Sequence, residues 1–104
     1  KSLWKFTKFS KFPTIQRDLS FVVDKNITSN ELSILIKSKG GKDLISLDLF
    51  DVYQGKGIED NKKSIAISIT WQSSKGTLLD SDIDKVVEKI VNSVKNELDG
   101  HLRD

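Results

Sequence analysis

Cysteine is absent from this chain of 104 residues, which excludes disulfide frameworks, thiolate metal sites and cysteine nucleophiles together. Histidine occurs once, as His101. One imidazole near the chain end cannot assemble a zinc site and reads as a solvated tail residue. No apolar run approaches the roughly 20 residues of a membrane span. The amino end, KSLWKFTKFS, has lysines without the apolar core of a signal peptide. A soluble protein with no membrane partner is therefore expected. Methionine is missing even from position 1, so a domain excised from a longer protein is expected. Proline also occurs once. Pro13 biases Phe12 toward an extended backbone and separates a basic arm, residues 1–12, from a domain over residues 13–104.

Charge of one sign is not in excess either. Lys and Arg number 17 against 15 Asp and Glu, for a net +2, short of the strongly basic balance typical of nucleic-acid binders. The distribution is more informative. Lys1, Lys5, Lys8, Lys11 and Arg17 all precede the first acid, Asp18. In the arm, Lys-Phe recurs at every third residue from Lys5 to Phe12. Such interleaving suits phosphate contact and base stacking, and equally a strap whose phenylalanines pack while its lysines stay solvated.

What is present is clear periodicity. RDLSFVVD, residues 17–24, alternates as a half-buried strand, with Leu19, Phe21 and Val23 on one face. Thr28 and Glu31 form a capping-box pair ahead of a helix lined by Leu32, Leu35 and Ile36, which Gly40-Gly41 ends. DLISLDLFDVY, residues 43–53, is a second strand, QGKGIEDNKK a hairpin-type connection, and SIAISITWQ, residues 64–72, the third strand. A long helix follows, capped by Asp80 or Ser81, with an apolar stripe from Ile83 to Leu98 and an end at Gly100. HLRD leaves room for a short last strand. The order β-α-β-β-α-β predicts a ferredoxin-like α+β sandwich: a four-stranded antiparallel sheet with two helices on one face. The other face is open and lined mostly by small residues, among them Ser20, Ser64, Ala66 and Ser68, with Phe50 beside them.

No catalytic set assembles in the sequence. There is no Ser-His-Asp combination and no phosphate-cradling glycine loop. The fold also serves acylphosphatases, but those need an anion-binding loop after the first strand, where DKNITSN is a helix cap instead. Asp80, Asp82 and Asp84 sit at a helix start, where the dipole accounts for them.

Four ordered stretches, FPTIQRDLSFVVD, LFDVYQGKGIEDNKKSIAISITWQS, KGTLLDSDID and the closing LR, resemble the anticodon-binding ferredoxin-fold domain that ends the beta subunit of bacterial phenylalanyl-tRNA synthetase. The resemblance runs from about Phe12 to Arg103. It implies a domain with no chemistry and no cofactor of its own. The parent enzyme would use ATP and Mg, in an alpha2beta2 assembly in the cytoplasm. The implied partners are the anticodon loop of tRNA(Phe), the rest of the beta subunit and the alpha subunit, which carries catalysis. The implied guanine contacts are Asp51 and Ser64. A guanine Watson–Crick edge offers two adjacent N–H donors, which one carboxylate accepts together. Tyr53 supplies a stacking face, Lys62 and Lys63 suit phosphates, and Phe50 and Ala66 complete the RNA-binding set. Simple alternation sets one condition. It places Asp51 and Tyr53 on the helix side with Leu47 and Leu49, unless the strand ends or bulges near Phe50. Taken without the resemblance, Asp51 is a turn or capping acid and Tyr53 a core-edge aromatic. The rival function is a protein-interaction or small-ligand regulatory module using the open face.

Overall fold

The computed structural model of the chain describes residues 11–103. The basic arm thus lies outside the described residues except for Lys11 and Phe12. Of these, the Phe12 carbonyl accepts a 2.6 Å hydrogen bond from Gln72 Nε2, and Lys11 Nζ stands 5.5 Å from the Phe12 ring centroid.

The elements are β1 (Ile15–Asp24), α1 (Ser29–Lys39), β2 (Leu44–Tyr53), β3 (Lys62–Trp71), α2 (Asp80–Leu98) and β4 (His101–Leu102). The sheet order is β2-β3-β1-β4, with every neighbouring pair antiparallel. This is the ferredoxin-like arrangement expected from the sequence. Among the described residues no helix is long and apolar enough to cross a membrane.

Alternation along the two central strands builds the core. Phe21 and Val23 of β1 and Ile65, Ile67, Ile69 and Trp71 of β3 are each at most 1% exposed. Leu32 and Ile36 of α1 and Ile83, Ile90 and Val94 of α2 cover them. Each such side chain contributes about 1.5–3 kcal/mol by leaving water. The indole Nε1–H of Trp71 donates to the Gly40 carbonyl at 2.8 Å, so the one polar atom of this buried ring is satisfied.

The start of α1 follows the sequence. The Glu31 N–H donates to Thr28 Oγ1 at 3.0 Å, and the Thr28 N–H donates to Glu31 Oε2 at 2.7 Å. The start of α2 does not. Leu79 occupies the cap position and no side chain caps it. Asp80 and Asp84 are instead held by Arg17 Nη2, at 3.1 and 3.3 Å. Arg17 therefore ties β1 to α2. It does not pair with its neighbour Asp18, which alternation turns to the opposite face. The hydrogen bond to Asp80 raises the guanidinium pKa further above its already high value. The two carboxylates stay 78% and 69% exposed, so the contact is worth about 0–1 kcal/mol.

The end of α2 is sharper than a glycine stop alone implies. Asp99, not Gly100, takes the left-handed conformation, with φ at 53°. Gly100 serves close approach instead. A Cβ there would lie 2.7 Å from Val23 Cγ1, 2.9 Å from Val94 Cγ1 and 3.1 Å from the Val22 carbonyl. The absence of a side chain lets α2 turn directly into β4 against β1.

Two substitutions separate these roles. Gly100→Ala should destabilise the chain by about 1–3 kcal/mol through overpacking. Asp99→Gly should stabilise it by about 1 kcal/mol, because the left-handed backbone then costs nothing and a carboxylate leaves the negative end of the helix. Urea unfolding followed by far-UV circular dichroism checks both. Equal effects of the same sign would refute the division of labour.

Candidate functional site

Strict alternation from Leu47 and Leu49 would carry Asp51 and Tyr53 under the helices. The register does otherwise. Leu49 pairs with Ile67 and Asp51 with Ala66, so Phe50 and Asp51 together occupy one step against β3. One strand carries an extra residue there, which is a β-bulge. Ala66 belongs to the open face, so Asp51 and Tyr53 join it, while Val52, paired with Ile65, takes the helix side. The bulge allowed for by the sequence is present, and it brings the acid and the phenol to the open face.

Two rows of side chains then cross the sheet. Tyr53 pairs with Ser64, Ser64 with Val22, and Val22 with His101. In the next row Asp51 pairs with Ala66 and Ala66 with Ser20, whose carbonyl accepts from the Arg103 N–H at 2.8 Å. Asp51 is thus the diagonal neighbour of Ser64, a separation of about 7 Å. The Asp51 side chain is exposed and is held by no hydrogen bond or ion pair among the described residues. Phe50, at the bulge, is 59% exposed.

Ser64 and Ala66 are on the same face but covered, at 3% and 8% exposure. Beside them, Arg103 stands over Tyr53. Its guanidinium carbon stands 5.1 Å from the Tyr53 ring centroid. Tyr53 and Arg103 rise from opposite edges of the sheet, three strand spacings or about 14 Å apart. They lean inward and meet above the two central strands. The Tyr53 hydroxyl donates to the Lys56 carbonyl at 2.9 Å, which fixes the ring from below. Gly55, at φ 143°, makes room for it: a Cβ there would lie 3.2 Å from the Tyr53 hydroxyl oxygen.

The two lysines separate. Lys62 pairs with Asp24 and shares the open face with Ser64, whereas Lys63 pairs with Val23 and takes the helix side. The register therefore does not bring Lys63 to the corner where Asp51, Ser64 and Tyr53 gather. Farther along the face the character turns acidic. Gln16 Nε2 donates to Asp18 Oδ1 at 3.2 Å and to Ser68 Oγ at 2.8 Å, and Asp48 pairs with Ser68. Among the described residues, no cluster of three His, Asp or Glu side chains could hold a metal ion. Arg103 is the residue that sequence reasoning passed over as part of the closing LR. Its signal was parity: it lies two residues after His101, hence on the same face as Val22 and Ser64.

The family model of the ferredoxin-fold anticodon binding domain matches residues 10–103. The phenylalanine–tRNA ligase beta subunit of Colwellia psychrerythraea is 43% identical over 98 residues, covering 94% of this chain and 12% of that protein. The beta subunit of Shewanella oneidensis is 42% identical over 95 residues, covering 91% of this chain and 12% of that protein. For the beta subunit of Clostridium acetobutylicum the figures are 39% over 99 residues, 95% and 12%. The chain thus spans about an eighth of the length of these curated relatives.

The contact between Tyr53 and the loop gives a direct test. Tyr53→Phe keeps the ring and the guanidinium contact but removes the bond to Lys56. A loss of about 0.5–1.5 kcal/mol in urea unfolding is expected. No change would mean that the hydroxyl is equally well served by water.

Proposed function

We propose that this chain reads one guanine of an RNA loop, and the premise is plain: it belongs to the ferredoxin-fold anticodon binding domain family. The carrying observation is the bulge at Phe50, which turns an uncommitted Asp51 carboxylate to the open face diagonally from Ser64, with Tyr53 beside it. A carboxylate accepts both neighbouring N–H donors of guanine, a pattern no other standard base presents. A serine hydroxyl can accept or donate one bond more.

The Tyr53–Arg103 contact is the entrance. A base that stacks on Tyr53 displaces the guanidinium. It exchanges a cation–π contact of about 0.5–1 kcal/mol at an exposed site for base stacking of about 1–3 kcal/mol. The exchange favours the base. Phe50 offers a second aromatic surface next to Asp51. Lys62 meets phosphate on the reading face; Lys63 adds positive charge to the same sheet end from the other side. Asp18 and Asp48 repel a phosphate backbone from the rest of the face, so the RNA is confined to this corner.

The relatives are named phenylalanine–tRNA ligase beta subunits. The RNA is accordingly the anticodon loop of tRNA(Phe), whose first anticodon base is guanine. The domain positions that tRNA, in the cytoplasm, for aminoacylation by a parent enzyme of alpha and beta subunits. ATP and magnesium chemistry belongs to that enzyme and uses no residue of this chain.

Fluorescence anisotropy with a tRNA(Phe) anticodon stem-loop tests the proposal. Changing the first anticodon base should weaken binding about tenfold, and Asp51→Ala should abolish that preference. Lys62→Ala should weaken both loops alike and lower the salt slope by about 1. Equal affinity of the unaltered chain for both loops would remove the base-reading claim. A dimer through the open face without RNA binding would favour the protein-interaction reading instead.

A further inference from the structure

The sequence holds one aspartate followed by glycine, Asp99–Gly100, at the corner where α2 turns into β4. The Asp99 side chain is exposed and is held by no hydrogen bond or ion pair among the described residues. In such a pair the glycine nitrogen, with no side chain beside it to hinder approach, can attack the carboxyl carbon of the aspartate. The new N–C bond closes a five-membered succinimide, and the C–OH bond breaks to release water. Water then adds to one of the two ring carbonyls. Addition at the side-chain carbonyl restores aspartate. Addition at the main-chain carbonyl gives isoaspartate, whose chain runs through Cβ and carries the α-carboxylate as a branch. One water leaves and one returns, so the step needs no oxidant and no cofactor.

The fold holds this reaction shut. Ring closure needs the Gly100 nitrogen and the Asp99 Cβ on the same side of the Asp99 Cα–C bond. At φ 53° and ψ 34° they stand nearly opposite. The Gly100 N–H also donates to the Val94 carbonyl at 3.2 Å, and Gly100 is buried. What closes the corner is small, however. β4 consists of His101 and Leu102, both exposed. It meets β1 where His101 pairs with Val22 and Leu102 with Phe21, and the Arg103 N–H on the Ser20 carbonyl at 2.8 Å completes the contact. A strand so short can open while the core between β1, β3 and the helices stays formed. The left-handed backbone of Asp99 is costly for a residue with a Cβ, and opening relieves it.

We propose that Asp99–Gly100 is a site of isoaspartate formation, kept unreactive by the closed α2–β4 corner and exposed by local release of β4. The product does not fit the closed corner. Isoaspartate adds one backbone carbon next to Gly100, where even a Cβ would lie 2.7 Å from Val23 Cγ1 and 2.9 Å from Val94 Cγ1. β4 then loses its register with β1, and Arg103 leaves the Tyr53 ring. The lesion thus dismantles the corner from behind and spares the core. The new α-carboxylate is the group that an isoaspartyl methyltransferase methylates, so the opened and aged chain is a substrate for that class of repair enzyme. None of this depends on which RNA the open face takes.

The whole chain is aged at neutral pH in buffer and in denaturing urea. Isoaspartate is counted by enzymatic transfer of a labelled methyl group and located by peptide mapping. In urea it should accumulate at Asp99, and in buffer about tenfold more slowly. Leu102→Ala, which loosens β4, should raise the rate in buffer about fivefold while far-UV circular dichroism stays native. Asp99→Glu should remove the methyl-accepting site, because the extra methylene demands a larger ring. In the aged chain the ring resonances of Tyr53, the one tyrosine, should shift in proportion to the methyl groups accepted. No isoaspartate at Asp99 in urea would overturn the site, and equal rates with and without urea would overturn its protection by the fold. A rate unchanged in Leu102→Ala, or one that rises in urea only with the global transition, would overturn control by β4.

Discussion

One extra residue in one strand decides what this sheet can do. Without the bulge at Phe50, the carboxylate of Asp51 would face the helix side beside Ile65 and Ile67, which are both fully buried. There it would lie beside the apolar core and point away from the open face. With the bulge, the same acid stands in solvent on a rigid strand, and Tyr53 follows it onto the same face. The change reverses again at once: Val52 returns to the apolar side. A local insertion thus moves two polar side chains without altering the composition of the core.

The corner this creates carries one aromatic–cation contact. Arg103 stands over Tyr53, and Ser64 and Ala66 beside them are nearly buried. The carboxylates of Asp18 and Asp48 lie on the same face, and Lys62 lies at the end beyond Ser64. A polyanion on this face therefore meets acids at Asp18 and Asp48 and a cation at Lys62.

Much of this was legible in the residues. Alternation in β1 and β3, the Thr28–Glu31 capping box and the stripe of α2 lie directly in the sequence, because each is a local pattern with one physical reading. The parts that were hidden depend on contacts between distant segments. Whether α2 is capped by Asp80 depends on Arg17, 63 residues away, which takes that carboxylate instead. Whether Asp51 faces the open side or the core depends on the register against β3, which alternation alone assigns wrongly. The two aromatic–basic partners, Tyr53 and Arg103, are separated by half the chain and meet only because β4 returns to the sheet edge. Gly100 shows the same limit. Its need for close approach to Val23 is a property of the packed fold, not of the helix it follows.

The bulge also answers a problem that β2 poses by its position. It is an edge strand of ten residues, with Ile45, Leu49 and Val52 exposed by 54%, 40% and 46%. An edge of that length and character invites pairing with another strand. Its ladder is broken twice, between Leu44 and Ser46 and between Leu49 and Asp51. Each break twists the edge and spoils the regular spacing of donors and acceptors that a partner strand would need. The second break is the one that exposes Asp51. Protection of the edge and construction of the corner that gathers Asp51 and Tyr53 beside Ser64 are therefore the same structural event, and a sequence that straightened β2 would lose both together.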